Sequence, residues 1–324
     1  MGKKYRNLID TIVSDANMRL AYRRTLKGKR RSRGYLEFKE YAEVNLQRLA
    51  GELADGTYRP EGSHEFMVYE PKPRQISALA FRDRVAQHAL CAVIGPILEA
   101  TLLPRCFACR EGLGTHAGVK QVQSDMRRLG TPLYYLKTDF SSFFGSVDRL
   151  VLHALIRKKV SCRGTIRLIE SMVPVDGQGI PIGSLTSQHF ANLYGGQVDR
   201  LLQQTLGLKH WVRYMDDIVV LHREPNVLRE TLGVIRSFSL QHLGLTLSKW
   251  HIASVGRGVN FLGYRIWPRH KLLRKRSVKG ARRVIKHLRS SGDTEALERF
   301  LAAWTGHARW ADSHNLLTSL GVQS

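Results

Sequence analysis

Apolar and polar residues along the first part of the chain change from a helical to an extended pattern. In residues 35–53 apolar side chains recur every three or four positions, which predicts an amphipathic helix that ends at Gly56. Residues 58–80 predict two extended segments joined as a hairpin, because two prolines interrupt them. A further helix is predicted to begin near Arg82 or Asp83. This part of the chain is therefore expected to contain helices and one hairpin.

The middle of the chain mixes the two patterns. Residues 132–140 and 259–267 are rich in aromatic and β-branched side chains, which predicts strands, whereas residues 188–206 have helical spacing. Residues 211–221 predict a hairpin with two adjacent aspartates at or beside its tip. We therefore expect a mixed α/β core.

After residue 268 the spacing of apolar residues predicts helices again. One of them has Asp293 as its N-terminal cap and is expected to stop at Gly306. The chain is thus predicted to consist of a basic N-terminal arm and helix in residues 1–65, an α/β core in residues 66–268 and a basic helical segment in residues 269–324.

The charge of the chain narrows the class of partner. The formal net charge is +24, and residues 1–34 contribute eleven Lys and Arg against two Asp. Such an excess indicates a polyanionic partner, either nucleic acid or an acidic membrane surface. The longest apolar run, residues 89–103, is interrupted and falls short of the roughly 20 residues that a membrane span needs. We therefore expect no membrane association, no signal peptide and a cytoplasmic location.

The four cysteines are too few and too irregularly spaced for a disulfide framework. Cys106 and Cys109 form a C-x-x-C pair, and with His116 and Cys162 they could be considered for zinc. A second closely spaced ligand pair is missing, so buried thiols are the favoured interpretation.

Acidic residues provide the candidate chemistry. Asp139 ends one predicted strand, and Asp216 and Asp217 lie in the predicted hairpin. An isolated Asp-Asp pair is most often an ordinary turn. Carboxylates that converge from two strands, however, repel one another unless a divalent cation bridges them, and hard oxygen ligands suit Mg²⁺. Two such ions, about 3.5–4 Å apart, support the in-line phosphoryl displacement of nucleotidyl transfer.

Three motifs, in this order, resemble the palm motifs of reverse transcriptases. They are TDFSSFF at residues 138–144, GIPIGSLTSQHFANLY at residues 179–194 and YMDD at residues 214–217. The ordered set is far more specific than any one of its parts. It implies an α+β right-hand polymerase fold, with fingers and an antiparallel-sheet palm in the core and a short helical thumb at the C-terminal end.

Three further segments extend the resemblance over most of the chain. RQISALAFRDRVAQ at residues 74–87 is similar to the fingers segment of bacterial and group II intron enzymes, with Ala78 and Leu79 in place of its Ile-Pro pair. LGLTLSKWH at residues 243–251 resembles the next palm motif, and FLGY at residues 261–264 resembles the primer grip.

The resemblance implies a role for each acidic residue. Asp139 and Asp216 would ligate two Mg²⁺ ions, for which Mn²⁺ could substitute, and Asp217 would be a weaker third carboxylate. The backbone carbonyl of Phe140 would be an additional ligand. Lys249 would protonate the leaving pyrophosphate, which requires a mobile cation with an accessible proton. A surface lysine is the alternative interpretation of Lys249.

The resemblance also implies residues that bind nucleotide, primer and template. Phe144 would be the steric gate under the sugar, with a core aromatic as its alternative. Lys72 and Arg74 would contact the triphosphate, with a solvated basic turn as the alternative interpretation of both. The nucleotide contacts would be Lys72, Arg74, Phe144, Ile182, Gly183 and Gln188, and the primer and template contacts Tyr214, Met215, Phe261, Leu262, Gly263 and Tyr264. Arg110 and His116 remain without an assigned contact, and Trp304 and Trp310 are expected to pack in a core.

Departures from the common motifs suggest the type of enzyme. Ile182 and the pair Ser187-Gln188 stand where most relatives have Gln and Ser-Pro, and this form is similar to that of diversity-generating retroelement reverse transcriptases. CFACREGLGTH at residues 106–116 also resembles that family, with Phe107 where Tyr is usual. The resemblance implies dNTP-dependent copying of a template-repeat RNA into cDNA with errors opposite adenine, together with a basic, oligomeric accessory variability determinant protein.

Two alternatives stay open. A retron-like or defence-associated reverse transcriptase is the closest one. From a different class, a catalytically silent RNA-binding or splicing-assistance protein is disfavoured by the three intact aspartates. Ile182 offers no hydrogen bond to an incoming nucleotide, and a site without such polar contacts discriminates poorly. We therefore hypothesise that Ile182 contributes to low fidelity.

Overall fold

The structure is a computed structural model that describes residues 3–69 and 73–321. These residues belong to two compact units. Unit 1 comprises residues 1–104, 140–200 and 236–246, and unit 2 comprises residues 105–139, 201–235 and 247–324. Helices and strands are numbered in chain order.

Unit 1 is mostly helical and contains one hairpin. Its helices are α1 (Leu8–Val13), α2 (Asp15–Thr25), α3 (Arg33–Glu40), α4 (Ala42–Asp55), α5 (Phe81–Glu99), α7 (Arg149–Arg157), α8 (Arg163–Met172), α9 (Leu185–Arg200) and the end of α10 (Pro225–Leu243). Strands β1 (Ser63–Val68) and β2 (Arg74–Leu79) form an antiparallel pair, which confirms the predicted hairpin. All six residues of β1 are exposed.

Helix α5 forms the centre of unit 1. It buries residues on every side, including Val85, Ala89 and Ile94, and packs against α2 and α9. A helix that is apolar all round is stable only when neighbouring helices cover it. Phe81 at its first turn contacts the ring of Tyr22 in α2 and the rings of Tyr35 and Phe38 in α3, so these helices are fixed to α5.

Unit 2 contains two antiparallel sheets and their covering helices. Its strands are β3 (Tyr134–Phe140), whose last residue is assigned to unit 1, β4 (Trp211–Tyr214), β5 (Asp217–His222), β6 (Leu247–Ser254), β7 (Val259–Phe261), β8 (Tyr264–Ile266) and β9 (Lys271–Leu273). Its helices are α6 (Thr115–Leu129), the start of α10, α11 (Lys275–Ser291), α12 (Thr294–Ala308) and α13 (His314–Ser319).

The larger sheet of unit 2 has the strand order β4-β5-β3-β6, and the smaller one has the order β7-β8-β9. Val119, Val122 and Met126 of α6 are buried in the same core cluster as Val219 of β5 and Phe261 of β7. Alternate residues of a strand point to opposite faces. One face of the larger sheet is therefore covered by α6 and the smaller sheet.

Most of the predicted strands and helices are confirmed, but two predicted boundaries are wrong. Residues 35–53 do not form one helix, because Tyr41 leaves helical geometry with φ −125° and ψ 44° and separates α3 from α4. Gly56 caps α4 with φ 77°, as expected. Asp293 caps α12 by accepting a hydrogen bond from a backbone N–H, but the helix continues through Gly306 to Ala308.

The predicted division into arm, core and thumb does not coincide with the two compact units and stays a prediction. The basic residues 27–32 form turns before α3 begins at Arg33. In the ranges that the structure describes, no helix combines the length and apolar character needed to cross a bilayer.

Candidate active site

The YMDD motif forms the tip of the β4–β5 hairpin. Tyr214 pairs with Asp217 across the hairpin, so Met215 and Asp216 form its two-residue turn. Met215 has φ 54°, the left-handed region that favours glycine. A non-glycine residue held there costs on the order of 1 kcal/mol or more, and surrounding structure must hold it in place. The side chain of Arg213, which is fully buried, donates a hydrogen bond of 3.1 Å to the carbonyl oxygen of Met215.

Asp139 lies directly opposite Asp217 in the β3–β5 ladder, and both side chains therefore project from the same face. Lys137, two residues before Asp139, shares that face. Its Nζ atom lies 2.9 Å from Oδ2 of Asp217, and both side chains are largely buried, with exposed fractions of 22% and 19%. The register of the sheet thus places one cation beside the carboxylates.

Burial and mutual repulsion act on these carboxylates. Burial, and next the neighbouring charge of Asp139, raise the pKa of Asp216 above its ordinary value. Burial raises the pKa of Asp217 to about 6, although Lys137 opposes the shift. The Oδ1 atom of Asp217 is buried and has no hydrogen-bond partner among the described residues. The site therefore carries unsatisfied negative charge.

These groups fit a divalent cation. Among residues 3–69 and 73–321, no cluster of three or more His, Cys, Asp or Glu side chains is arranged to enclose a metal ion. The protein offers instead the close pair Asp139 and Asp216, with Asp217 held by Lys137. Mg²⁺ is commonly bound by one or two carboxylates together with substrate phosphates rather than by a complete protein cage. An unpaired, buried carboxylate oxygen is the kind of group that such an ion stabilises.

Lys249 lies on edge strand β6, near the acidic face. It lines a cavity of about 490 Å³ together with Asp139 and Lys137. Tyr135, which shares the face of Lys137, contacts the ring of His251 at a centroid distance of 5.7 Å. Because Lys249 is two residues before His251, its side chain projects from the same face. The predicted proton donor therefore lines the same cavity as Asp139.

The loop before α9 carries the predicted nucleotide contacts of unit 1. Ser77 of β2 donates its backbone N–H to the carbonyl oxygen of Ile182 at 2.9 Å. Gly183 has φ 108°, and a Cβ atom there would lie 2.8 Å from the carbonyl oxygen of Ser77. Gln87 of α5 accepts hydrogen bonds from the side chain of Ser184 and from the backbone that follows. Strand β2 and helix α5 thus fix the loop tightly.

The other predicted contacts of unit 1 are placed as follows. Arg74 is the exposed first residue of β2. Phe144 is half-buried in a 3₁₀ turn, and its carbonyl oxygen accepts a hydrogen bond of 2.8 Å from the backbone N–H of Ile180. Gln188 is exposed on α9. Lys72 lies outside the described residues, so its predicted role has no structural description.

The FLGY motif forms the β7–β8 hairpin. Phe261 pairs with Tyr264, and the turn residues Leu262 and Gly263 both have positive φ, 48° and 92°. This is the pattern of a type I′ turn, which suits the twist of paired strands. The hydroxyl of Tyr264 lies 3.0 Å from Nδ1 of His307, which links the hairpin to α12.

The structure also gives contacts for residues that the sequence left unassigned. Arg110 donates a hydrogen bond of 3.0 Å to the carbonyl oxygen of Cys106 within its own segment. His116 stacks on Trp310 with ring centroids 3.9 Å apart. Trp304 packs against the core of unit 2, but Trp310 is 41% exposed, so the expectation that it is a core residue is wrong.

Sequence reasoning missed Lys137 and Arg213. Their signals were present, since Lys137 is two residues from Asp139 in a strand pattern, and Arg213 is a single cation within an apolar strand. Cys91, Cys106 and Cys162 are buried free thiols, as expected, whereas Cys109 is exposed.

Comparison with known proteins identifies the family. Residues 67–266 match the family described as reverse transcriptase (RNA-dependent DNA polymerase). The chain belongs to the reverse transcriptase family. Its class of enzyme is therefore that of RNA-directed DNA polymerases, nucleotidyltransferases that generally use divalent metal ions, and the expectation from the sequence is confirmed at this level.

Similar proteins include a curated bacterial relative and two solved structures. Protein YkfC of Escherichia coli (strain K12) is 25% identical over 293 residues, which cover 75% of this reverse transcriptase and 74% of YkfC. Apo telomerase from Candida tropicalis has a TM-score of 0.52 at 12% identity, over 68% of this chain and 49% of that one. Telomerase from Candida albicans, in complex with a fragment of telomeric RNA, has a TM-score of 0.51 at 10% identity, over 70% and 50%.

The match spans about half the length of each telomerase chain, and at such low identity it concerns the fold. The expected fold class, a right-hand polymerase of mixed helices and antiparallel sheets, is confirmed.

Proposed function

We propose that this reverse transcriptase copies template RNA into DNA by two-metal nucleotidyl transfer at Asp139 and Asp216. The observation that carries the proposal is the convergence of these two carboxylates at the end of β3 and in the β4–β5 turn, where burial and repulsion raise the pKa of Asp216. Two bound Mg²⁺ ions, or Mn²⁺ in their place, would supply the charge that stabilises the attacking and leaving oxygens.

The residues of the chain have distinct parts in this proposal. Asp139, Asp216 and the backbone carbonyl of Phe140 would hold the ions, and Asp217 would be an auxiliary carboxylate whose position is maintained by Lys137. The proton for the leaving pyrophosphate comes from Lys249, which shares a cavity with Asp139. An ammonium group on a flexible stem suits that transfer, because it is mobile and carries accessible protons.

Nucleotide and primer are held by the other motifs. Phe144 excludes a 2′-hydroxyl, Lys72 and Arg74 contact the triphosphate, and Ile182, Gly183 and Gln188 contact the incoming nucleotide. The assignment of Ile182 and Gly183 is supported by the contacts that fix their loop against β2. A residue that selects a nucleotide must be held in a fixed position. The primer terminus is contacted by Tyr214, Met215 and the hairpin formed by Phe261, Leu262, Gly263 and Tyr264.

Primer extension on an RNA template tests the catalytic assignment. Asp216→Asn should abolish Mg²⁺-dependent incorporation of dNTPs, because it removes one of the two metal-binding carboxylates without changing the shape of the turn. Asp55→Asn, at an exposed position in unit 1, is the matched control and should retain activity. Equal activity of wild type and Asp216→Asn would refute the assignment.

We further propose that the enzyme serves a diversity-generating retroelement in the bacterial cytoplasm. The support is the GIPIGSLTSQ form of residues 179–188 and the segment at residues 106–116. In that case it copies a template-repeat RNA into adenine-mutagenised cDNA and works with a basic, oligomeric accessory variability determinant protein. A retron-like or defence-associated enzyme is equally compatible with membership of the family.

Ile182→Gln tests the fidelity hypothesis. The glutamine amide would add a hydrogen-bonding group that discriminates between nucleotides, so errors opposite adenine should fall. Sequencing of cDNA made from an adenine-rich template measures the effect, with Ile182→Leu as an apolar control. An unchanged error spectrum in Ile182→Gln would remove Ile182 from the mechanism.

A further inference from the structure

A short segment of unit 2, residues 105–107, extends the larger sheet beyond β4. The backbone N–H of Arg213 donates to the carbonyl oxygen of Arg105 at 3.0 Å. The backbone N–H of Phe107 donates to the carbonyl oxygen of Arg213, also at 3.0 Å. Cys106, between these two residues, is therefore the parallel pairing partner of Arg213. The segment is thus attached to β4 one residue before the YMDD motif begins.

The side chain of Arg213 connects Cys106 to the turn of that motif. Its Nη2 atom donates to the Sγ atom of Cys106 at 3.1 Å, and its Nη1 atom donates to the carbonyl oxygen of Met215 at 3.1 Å. Cys106 and Arg213 are both 0% exposed. A guanidinium is planar and presents its donors in a rigid fork, so a bond at one nitrogen also restricts the position of the other. The thiol therefore contributes to the position of the donor that reaches Met215.

The carbonyl group that accepts this bond belongs to the peptide unit immediately before Asp216. Met215 has φ 54°, a conformation that a non-glycine residue keeps only where the surrounding structure holds it. A buried donor that loses its acceptor is costly, so the guanidinium would shift toward another acceptor if the thiol were removed. Such a shift would weaken the hold on Met215 and with it the orientation of the Asp216 side chain.

We propose that Cys106 is a positioning residue that acts on Asp216 through Arg213. The catalytic part of Asp216 rests on the proposed function, whereas the contacts that lead from the thiol to the turn belong to the fold. A side chain with a hydrogen-bond acceptor at position 106 maintains the turn, and one without an acceptor loosens it. Serine keeps an acceptor at this position, and alanine removes it.

Primer extension on an RNA template with Cys106→Ala, Cys106→Ser and Cys91→Ala tests the proposal. Cys106→Ala should lower kcat and kcat/KM for dNTP equally, by about tenfold, as is usual when a partner that orients a metal-binding group is lost. Cys106→Ser should recover most of this loss. Cys91→Ala removes a thiol that is buried in α5 of unit 1, so it leaves a similar cavity and should keep the kcat of the wild type.

A second background shows whether the effect passes through Arg213. Arg213→Met removes the guanidinium and should itself lower kcat. In that background Cys106→Ala should cause no further loss, because residues that act as one unit are not additive. An equal loss from Cys106→Ala in both backgrounds would overturn the proposal. A loss in Cys106→Ser as large as that in Cys106→Ala would also overturn it, and this comparison does not require Arg213→Met to fold.

Amide hydrogen exchange of the β4–β5 hairpin provides a measurement that does not involve catalysis. In EDTA and without substrate, peptides that contain residues 211–221 should lose protection in Cys106→Ala but not in Cys91→Ala. Unchanged protection in Cys106→Ala would contradict the role of Cys106. Failure of the wild type in primer extension would instead contradict the proposed function, so the two failures are distinguishable.

Discussion

Replacing Lys137 with methionine should destabilise the folded chain by about 3 kcal/mol at pH 8 without metal ions, because Asp217 would remain charged, buried and unpaired. The magnitude follows from the geometry. Two unit charges 4 Å apart interact by about 4 kcal/mol at an effective dielectric constant near 20. Lys137 and Asp217 are closer, at 2.9 Å, but their side chains remain 22% and 19% exposed. This partial exposure favours the lower end of the roughly 3–5 kcal/mol that breaking a buried ion pair typically costs.

A double-mutant cycle isolates this interaction. The free energy of unfolding is measured by urea denaturation in EDTA for wild type, Lys137→Met, Asp217→Asn and the double variant. We expect a coupling energy of about 2–3 kcal/mol at pH 8. Arg299→Met and Glu295→Gln provide the matched cycle, because this exposed pair on α12 should couple by no more than about 0.5 kcal/mol.

The coupling should also depend on pH in a defined direction. The folded-state pKa of Asp217 is about 6, above its ordinary value, so the carboxylate takes up a proton as the pH falls through that value. At pH 4 the ion pair is lost and the coupling should become small. A coupling energy at pH 8 that is no larger than that of the α12 pair would refute the view that Lys137 supplies the missing charge of this site.

Three other predictions follow from the structure. In EDTA, the stability of the wild type should decrease as the pH rises from about 4 to 7. The pKa values of Asp216 and Asp217 are raised, so the folded chain binds more protons than the unfolded chain in this range. Added Mg²⁺ should restore the lost stability, measured by thermal denaturation. Gly183→Ala should lower the free energy of unfolding by about 2 kcal/mol, as its Cβ would lie 2.8 Å from a β2 carbonyl oxygen, whereas Gly280→Ala in α11 should raise it by about 0.5–1 kcal/mol. Tyr264→Phe should lower the free energy of unfolding by about 1 kcal/mol, because the 3.0 Å contact between the tyrosine hydroxyl and His307 is lost. Urea denaturation measures the change, and an unchanged midpoint would contradict that role.

Local patterns were sufficient to predict the hairpin that carries the YMDD motif. Apolar runs on either side of Asp216 and Asp217 indicate two strands, and Asp216 lies in the two-residue turn between them, whereas Asp217 is the first residue of β5. The alignment of Asp139 with Asp217 was beyond such reasoning, because register depends on strands that are distant in sequence. The ion pair of Lys137 follows from that same register.

The wrong boundaries have similar causes. The apolar spacing of residues 35–53 continues across Tyr41, and only the backbone reveals that two helices meet there. Gly306 has the composition of a helix stop, but tertiary packing of α12 overrides a weak local preference. The burial of Arg213 was also hidden, since a sequence does not show which backbone carbonyl a side chain will reach.

The β1–β2 ribbon has a consequence for the colloidal behaviour of the chain. β1 exposes all six of its residues, among them Phe66, Met67 and Val68, and a two-stranded sheet has edges on which another copy could add a strand. The charge of +24 keeps copies apart at low ionic strength. Salt at about 1 M shortens the screening length to about 3 Å and removes that protection. Conditions that strip nucleic acid from this enzyme should therefore also favour its self-association.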